Sequence, residues 1–351
     1  MTRKNLPLIL IFIVSITFAV SSCKTKSLSV RVLKPADIYV PGKIKTLAVV
    51  NRSLPAKGDG SRVVNILEGL VTGEGIFVDR NASERCVSGL ADGLVNSPRF
   101  SVTVPTGLDI RGTGTAQFPE PLKWSEVEQI CNDYSAEGLI LLETFDSNIS
   151  RNFGTRQKTR KEDGKDINYT EHIASVDVSI NAGWRIYFPS ERKIVDQNVF
   201  VDRKGWDGTG LTKIEAGRKL PKPERAVEDA GYFAGTQYAH RISPMWIWVS
   251  RKYYVKGNDD FKDARYKVQS KKWEDAALIW KRYVNDPDTK IAGYACYNMA
   301  LASEVMGEFD IALDWAQKAY SDYYLKSARE YINILENRIR EAEALNRQMN
   351  E

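Results

Sequence analysis

Between Ala174 and Phe188 every second residue is apolar: Ala174, Val176, Val178, Ile180, Ala182, Trp184, Ile186 and Phe188, with Ser175, Asp177, Ser179, Asn181 and Arg185 among the residues between them. Successive side chains on a strand point to opposite faces, so this period of two predicts one long strand, buried on one face and wetted on the other. Pro189 to Lys193 turns the chain, and Ile194 to Asp202 is expected to return beside it as a hairpin. A strand of this kind needs a covering layer, which the flanking sequence must supply.

Upstream, Ile44 to Asn51 is a short apolar run, read as a buried strand. Asn81-Ala-Ser-Glu84 has capping-box spacing, and Val87, Leu90, Ala91, Leu94 and Val95 recur at helical spacing, predicting a helix from Ser83 to Asn96 that Pro98 stops. Phe100 to Val104 reads as a second strand. Ser125-Glu-Val-Glu128 repeats the capping signal before a helix with Val127, Ile130, Cys131 and Tyr134 on one face, and Gly138 to Phe145 is a strongly apolar third strand. The order strand, helix, strand, helix, strand is the pattern of helices packed on a sheet. Ser150 to Asp166, charged and Gly-bearing, is expected to be a mobile loop. A polar loop runs to Pro223, and Ala226 to His240 reads as a helix. The aromatic run Met245 to Tyr254 reads as an extended segment packed on the core, in preference to a membrane-interface belt.

From Asn258 helical spacing takes over. Ala295 to Tyr320 is similar to a tetratricopeptide repeat: Tyr297, Asn298 and Ala300 in a first helix, Gly307-Glu-Phe309 at the turn, and Ala312 and Ala319 where two helices cross closely. Lys271 to Trp280 repeats the turn and second helix, with Ala276 36 residues before Ala312, against about 34 for this repeat type. Lys271 stands in place of the usual turn glycine, and Tyr283 in place of the small residue matched by Ala319. Tyr324 to Met349 is a third helical stretch that caps the last repeat, and Arg338 to Glu351 is read as a solvated or frayed tail. The repeats are either a helical lid on the sheet domain or a concave groove for a partner. In the groove reading Tyr297, Asn298, Ser303 and Glu304 are the candidate contacts, and Ala276, Ala300, Gly307, Ala312 and Ala319 do the packing.

The amino terminus carries a basic lead (Arg3, Lys4), an apolar run of about 15 residues from Leu6 to Val20, and Ser21-Ser22-Cys23. That run is too short to span about 30 Å of hydrocarbon and suits a secretory signal. The ending Val20-Ser-Ser-Cys23 resembles the bacterial lipobox, which implies cleavage before Cys23, diacylglycerol on its thiol and an acyl chain on the new amino terminus. No residue from Cys23 to Ser27 is acidic. In Bacteroidetes-type lipoproteins acidic residues there favour surface export, so the periplasmic face of the outer membrane is the expected location.

Net charge is +5, or +3 (48 basic against 45 acidic) without Arg3 and Lys4. That is too mild for a nucleic-acid binder, and no basic block interleaves with aromatics. Of the four cysteines, Cys86, Cys131 and Cys296 remain beyond Cys23; Cys86–Cys131 is the one bridge a single domain allows, and buried free thiols are the favoured alternative.

No catalytic or metal-binding constellation stands out. His172 and His240 are the only histidines and neither lies in a motif. Gly205 and Gly210 have phosphate-loop spacing, but Leu211 stands where lysine is required. Gly112-Thr-Gly114 lacks the strand-to-helix setting of a dinucleotide site. Glu126 and Glu128 are paired acids of no special meaning, Glu128 being accounted for by the helix cap.

The expected fold is α+β: an α/β sandwich-like domain with a long antiparallel hairpin, then an all-α tetratricopeptide-type region. The divisions are 1–22 signal, 23–43 lipid-anchored tether, 44–256 α/β domain and 257–351 helical repeats. In its order of elements (Leu47 to Asn51, a helix ending before Phe100, Gly138 to Leu142, the hairpin) the middle section resembles the periplasmic domains of the curli-secretion lipoprotein and of penicillin-binding-protein activators. The whole resembles an uncharacterised Bacteroidetes lipoprotein family with C-terminal tetratricopeptide repeats. The expected role is a non-enzymatic envelope adaptor that binds a protein or peptide through the repeat groove and the exposed face of the long hairpin, with no cofactor beyond the acyl chains on Cys23 and an open oligomeric state. The alternatives are a structural subunit of an outer-membrane secretion or pore assembly and, more distantly, a glycan-acting enzyme.

Overall fold

The computed structural model describes residues 24–55, 74–114 and 116–350. The expected signal and Cys23 lie outside them. The chain forms two compact units: a sheet unit, Arg31–Trp248 with Arg338–Glu351, and a helical unit, Met1–Val30 with Val249–Asn337.

The sheet unit is built on five strands in the order β3-β2-β4-β5-β6: β2 (Thr46–Asn51), β3 (Ser101–Thr103), β4 (Gly138–Glu162), β5 (Lys165–Phe188) and β6 (Lys193–Gly210). β2 runs parallel to β3 and β4, while β4, β5 and β6 are antiparallel. Helices α1 (Glu74–Val95) and α4 (Pro223–Ile242) cover one face, and α2 (Trp124–Asp133) covers the other. The alternating residues of β5 lie as their period requires: Val176, Val178, Ile180, Ala182, Trp184, Ile186 and Phe188 pack with Cys86, Leu90 and Leu94 of α1 and Ala230, Ala234 and Tyr238 of α4. Trp184 stacks on Tyr238 with ring centres 4.7 Å apart. Opposite, Val127, Ile130 and Cys131 meet Ala48, Val50, Leu139, Leu141 and Tyr187. α1 and α4 cross so closely that a Cβ on Gly235 would stand 1.8 Å from the carbonyl oxygen of Cys86.

Several elements differ from expectation. Ser150 to Asp166 is not a loop: β4 and β5 stay paired to Glu162 and Lys165, joined by Asp163 and Gly164 at φ 49° and 78°. Two successive positive φ values belong to the turn that matches strand twist, and Asp-Gly supplies them. Cross-strand pairs stand in for burial there: Arg156 and Lys158 both bond Glu171 (2.5 and 3.0 Å), and Thr159 bonds Asn168 (2.7 Å). β6 runs eight residues past the expected Asp202, and a short helix α3 (Lys213–Arg218) follows it within the expected loop.

Helix α1 begins at Glu74, so Asn81–Glu84 lies inside it and caps nothing. α2 is capped at Lys123, whose backbone N–H donates to Glu126 at 2.9 Å; Glu128 instead pairs with Arg192. The expected tether contains a strand, β1 (Thr25–Lys34), paired with β7 (Met245–Tyr254) in a two-stranded sheet. Val30 and Val32 bury one side of β1, a period-two signal hidden among Lys and Ser. The charged end of the chain is not frayed. Gln348 donates to the Ala36 carbonyl and accepts from the Ala36 N–H, both at 2.8 Å, and Arg338 donates to the Leu33 carbonyl.

The helical unit holds α5 (Asp259–Gln269), α6 (Trp273–Lys281), α7 (Thr289–Met306), α8 (Phe309–Ser321) and the first half of α9 (Lys326–Asn350). Two helix pairs, α5 with α6 and α7 with α8, stand where the repeats were expected, in an all-helical region. Gly307 ends α7 at φ 85°, and Lys271 holds the matching turn at φ 57°, a strained position for a residue with a Cβ. Ala276, Ala300, Ala312 and Ala319 are all fully buried. Tyr283 lies past the end of α6, where its hydroxyl donates to Asp260. Cys86, Cys131 and Cys296 are free and buried; burial pushes the Cys131 and Cys296 thiols up to about 11 and about 12.

Candidate functional site

Three places were open to chemistry or binding: the repeat groove, the end of the sheet where strand order reverses, and the surface of the long hairpin.

In the helical unit, Tyr297, Asn298, Ser303 and Glu304 are all buried, and they meet the chain itself. The Asn298 amide donates to the Tyr254 carbonyl (2.7 Å) and accepts from the Tyr254 N–H (2.8 Å), the two bonds by which a groove holds an extended peptide. Glu304 takes the Arg251 guanidinium through Nε (2.8 Å) and Nη2 (2.7 Å), and accepts the Tyr331 hydroxyl at 2.7 Å. Burial, with Glu304 beside it, raises the Tyr331 hydroxyl well above its ordinary value. Tyr297, Asn298 and Glu304 therefore clamp the end of β7, and Ser303 is buried beside them in α7, so the four do not line an open groove.

Open α/β sheets take ligands where strand order reverses, beyond the carboxyl ends of the strands. Here that point lies past β2, between β3 and β4, and it is filled by side chains and by the chain itself. Glu143, an extra residue where the β4–β5 register shifts, turns onto the α2 face. It is fully buried with Arg185 at 2.8 Å and Arg52 at 3.1 Å, and Tyr187 donates to it at 3.3 Å. Segment 119–122 seals the cluster: the Pro119 carbonyl accepts from Arg185, the Glu120 carbonyl from Arg52, and Leu122 N–H donates to Tyr187. Burial pushes the Glu143 carboxyl up, and the two guanidiniums and the Tyr187 hydroxyl pull it back. Every group in the cluster that would act on a substrate is already bound to another.

A cleft of about 720 Å³ opens at the opposite end of the sheet, lined by Lys43, Glu128, Cys131, Glu137, Phe188 and Arg192 among others. Its charges are spent locally. Lys43 bonds Glu191 at 3.2 Å, Arg192 bonds Glu128 at 2.9 Å, and Glu137 accepts the Lys45 and Thr46 N–H groups. Gly205 and Gly210 lie within β6, and Gly112 bridges to Pro55. His172 is half-buried on β5; His240, near the end of α4, is lowered by burial and by Arg241. No group of three His, Cys, Asp or Glu side chains among the described residues has the geometry of a metal site.

One carboxyl was missed by the sequence reading. Asp79 of α1 accepts the Ser147 hydroxyl of β4, and burial, with Asp146 adding to it, pushes it up to about 6. Nothing in the spacing of Asp79, Asp146 and Ser147 signals their meeting.

The hairpin surface remains. β2 pairs with β4 only from Gly138 to Leu142, so from Thr144 to Glu162 β4 has β5 as its single neighbour among the described residues. β6 likewise pairs only with β5. The three strands thus form an arm with two unpaired backbone edges. The β4 edge is set with Arg151, Arg156, Lys158, Arg160 and Lys161. The β6 edge instead presents Val199 and Val201, 49% and 55% exposed.

No curated protein matches the chain. Residues 262–337 match a second domain of unknown function, DUF6340. Among solved structures, a neuraminyllactose-binding hemagglutinin homolog from Helicobacter pylori is similar at 10% identity over 59% of this chain and 87% of that one, TM-score 0.23. The PelC dodecamer from Paraburkholderia phytofirmans is similar at 10% identity over 60% and 97%, TM-score 0.17. Residues 44–254, which hold the whole five-stranded sheet and its three covering helices, match the domain of unknown function DUF8603, and the chain belongs to that family.

Proposed function

We propose that the protein is a non-enzymatic assembly factor of the bacterial envelope, held to a lipid surface through Cys23, that grips a partner protein by adding an extended segment of it to the β6 edge of the arm. The observation that carries this reading is the length of β6 left without an outer neighbour. Folded proteins guard such edges with charge, proline or a covering element, because an open ladder pairs with any compatible strand. The β4 edge is guarded by five basic side chains; the β6 edge around Val199 to Val201 is not. Main-chain pairing supplies affinity in strand addition, and alternate side chains supply selection. The repeat region, whose groove residues hold β7, serves in this reading as a structural cap.

A photo-crosslinker at Asn198 in intact cells, followed by identification of the product, tests the proposal. Val199→Lys with Val201→Lys is expected to abolish the crosslink while thermal unfolding stays unchanged, since both side chains are exposed. A crosslink that survives the double change overturns it. A second reading, a subunit of a ring or pore, is favoured by the two open edges on opposite sides of one arm, which allow head-to-tail pairing between copies. A crosslinked product that is a second copy of this chain decides for it.

A further inference from the structure

The β1–β7 ribbon is the most basic stretch near Cys23, and its outer side is aromatic. Along β7 the residues alternate: Met245 is buried, Trp246 is 44% exposed, Ile247 is half-buried and Trp248 is 68% exposed. Two indoles standing in water on one side of a strand are unusual for a surface with no apolar partner, because each leaves a large hydrocarbon area wet. Arg31 of β1 lies over the Trp246 ring, 4.9 Å from its centre. From Lys24 to Lys34 the chain carries Lys24, Lys26, Arg31 and Lys34 and no acid; among the described residues only Lys34 of these is ion-paired, to Glu341 at 3.3 Å. Ser27 and Ser29, small and exposed, precede Arg31 at the same strand parity.

We propose that this side, Trp246 and Trp248 with Arg31, lies in the headgroup layer of an anionic phospholipid membrane. The proposal rests on the lipid-anchor part of the reading above. Thr25, the first residue of β1, is two residues from Cys23, so β1 begins within about 7 Å of the anchored residue. An indole places its ring among the acyl carbonyls with its N–H toward water, which is why tryptophan gathers at membrane interfaces. Basic side chains beside it meet lipid phosphates, each favouring the surface about fivefold. Several acyl chains on Cys23 anchor the protein stably but fix no orientation, and the ribbon lays the sheet unit against the membrane in one orientation.

The test uses the native acylated chain reconstituted in vesicles of phosphatidylethanolamine and phosphatidylglycerol with brominated acyl chains. Bromine quenches nearby indoles, and of the eight tryptophans only Trp246 and Trp248 are expected to respond. Trp246→Ser with Trp248→Ser should abolish the quenching although the anchor keeps the variant on the vesicle. Quenching that is absent in the native chain, or unchanged in the variant, overturns the proposal. A second measurement separates it from the anchor: the full chain with Cys23→Ala, signal removed, is sedimented with the same vesicles. Arg31→Glu is expected to lower its binding by at least about fivefold, with no change on neutral phosphatidylcholine. Equal binding of the two overturns the role of Arg31 at the surface. Failure of labelled fatty acid to enter the native protein sinks the anchor alone.

Discussion

The lower and upper halves of the hairpin are made by the same two strands on one continuous ladder, yet they are stabilised differently. From Ala174 to Phe188 one side of β5 is sealed under α1 and α4, and the other, near Arg185 and Tyr187, under α2 and segment 119–122. From Lys165 to Thr170 no residue is buried, and the pairing rests on the Asp163-Gly164 turn and on cross-strand side chains such as Thr159 with Asn168. The comparison teaches that a ladder needs a register, from a turn or from a buried face, but stability needs the buried face. The covered half holds the fold together, and the bare half is free to do something else.

The largest effect should come from breaking the covered half at its charged centre. Glu143→Ala leaves Arg185 and Arg52 without their carboxylate in a dry site, and urea unfolding should show a loss of about 3–5 kcal/mol. Next, Gly235→Ala forces a Cβ against the Cys86 carbonyl, where backbone meets backbone and nothing flexible can yield. A loss of about 3 kcal/mol is expected by the same measurement.

Asp79 lies in the covered half, bonded to Ser147, which pairs with Ile180. Its pKa is raised from 3.8 to about 6, so between those values the folded state binds more protons than the unfolded one, and stability falls as pH rises through that window. Asp79→Asn should flatten that slope and add about 1 kcal/mol at neutral pH, a figure reduced for partial exposure, as read from denaturation across pH. Smallest of all, replacing 157–170 by a two-residue turn should shift unfolding by no more than about 0.5 kcal/mol, because no residue of that segment is buried. A larger loss would show that the arm is part of the fold it was separated from.

Much of the fold was legible where one periodicity dominated. The apolar face of β5, the face of α2, and the small residues Ala276, Ala300, Ala312 and Ala319 stand where spacing placed them, as do Val87, Leu90, Ala91 and Leu94 of α1, but Val95 is 69% exposed. Composition misled where charge outweighed pattern. Ser150 to Asp166 reads as a loop because nothing in it is buried, although Asp163-Gly164 is a strong hairpin signal. β1 hides Val30 and Val32 among lysines and serines in the same way. The candidate contacts were placed on the correct helix, but spacing on a helix says which residues share a side and not what packs against it. For Tyr297, Asn298 and Glu304 the answer was Arg251, Tyr254 and Tyr331.

By itself the sequence determined the elements whose cause is local: strand and helix periods, the glycine turn at Gly307, and close crossings at alanine. The tertiary structure decided which polar groups meet, because such meetings join residues far apart in the chain that share no spacing rule. Glu143 with Arg52, Asp79 with Ser147 and Asn298 with Tyr254 are all of this kind. It also decided which strand edges stay unpaired, since an edge is defined only by the neighbour that never arrives.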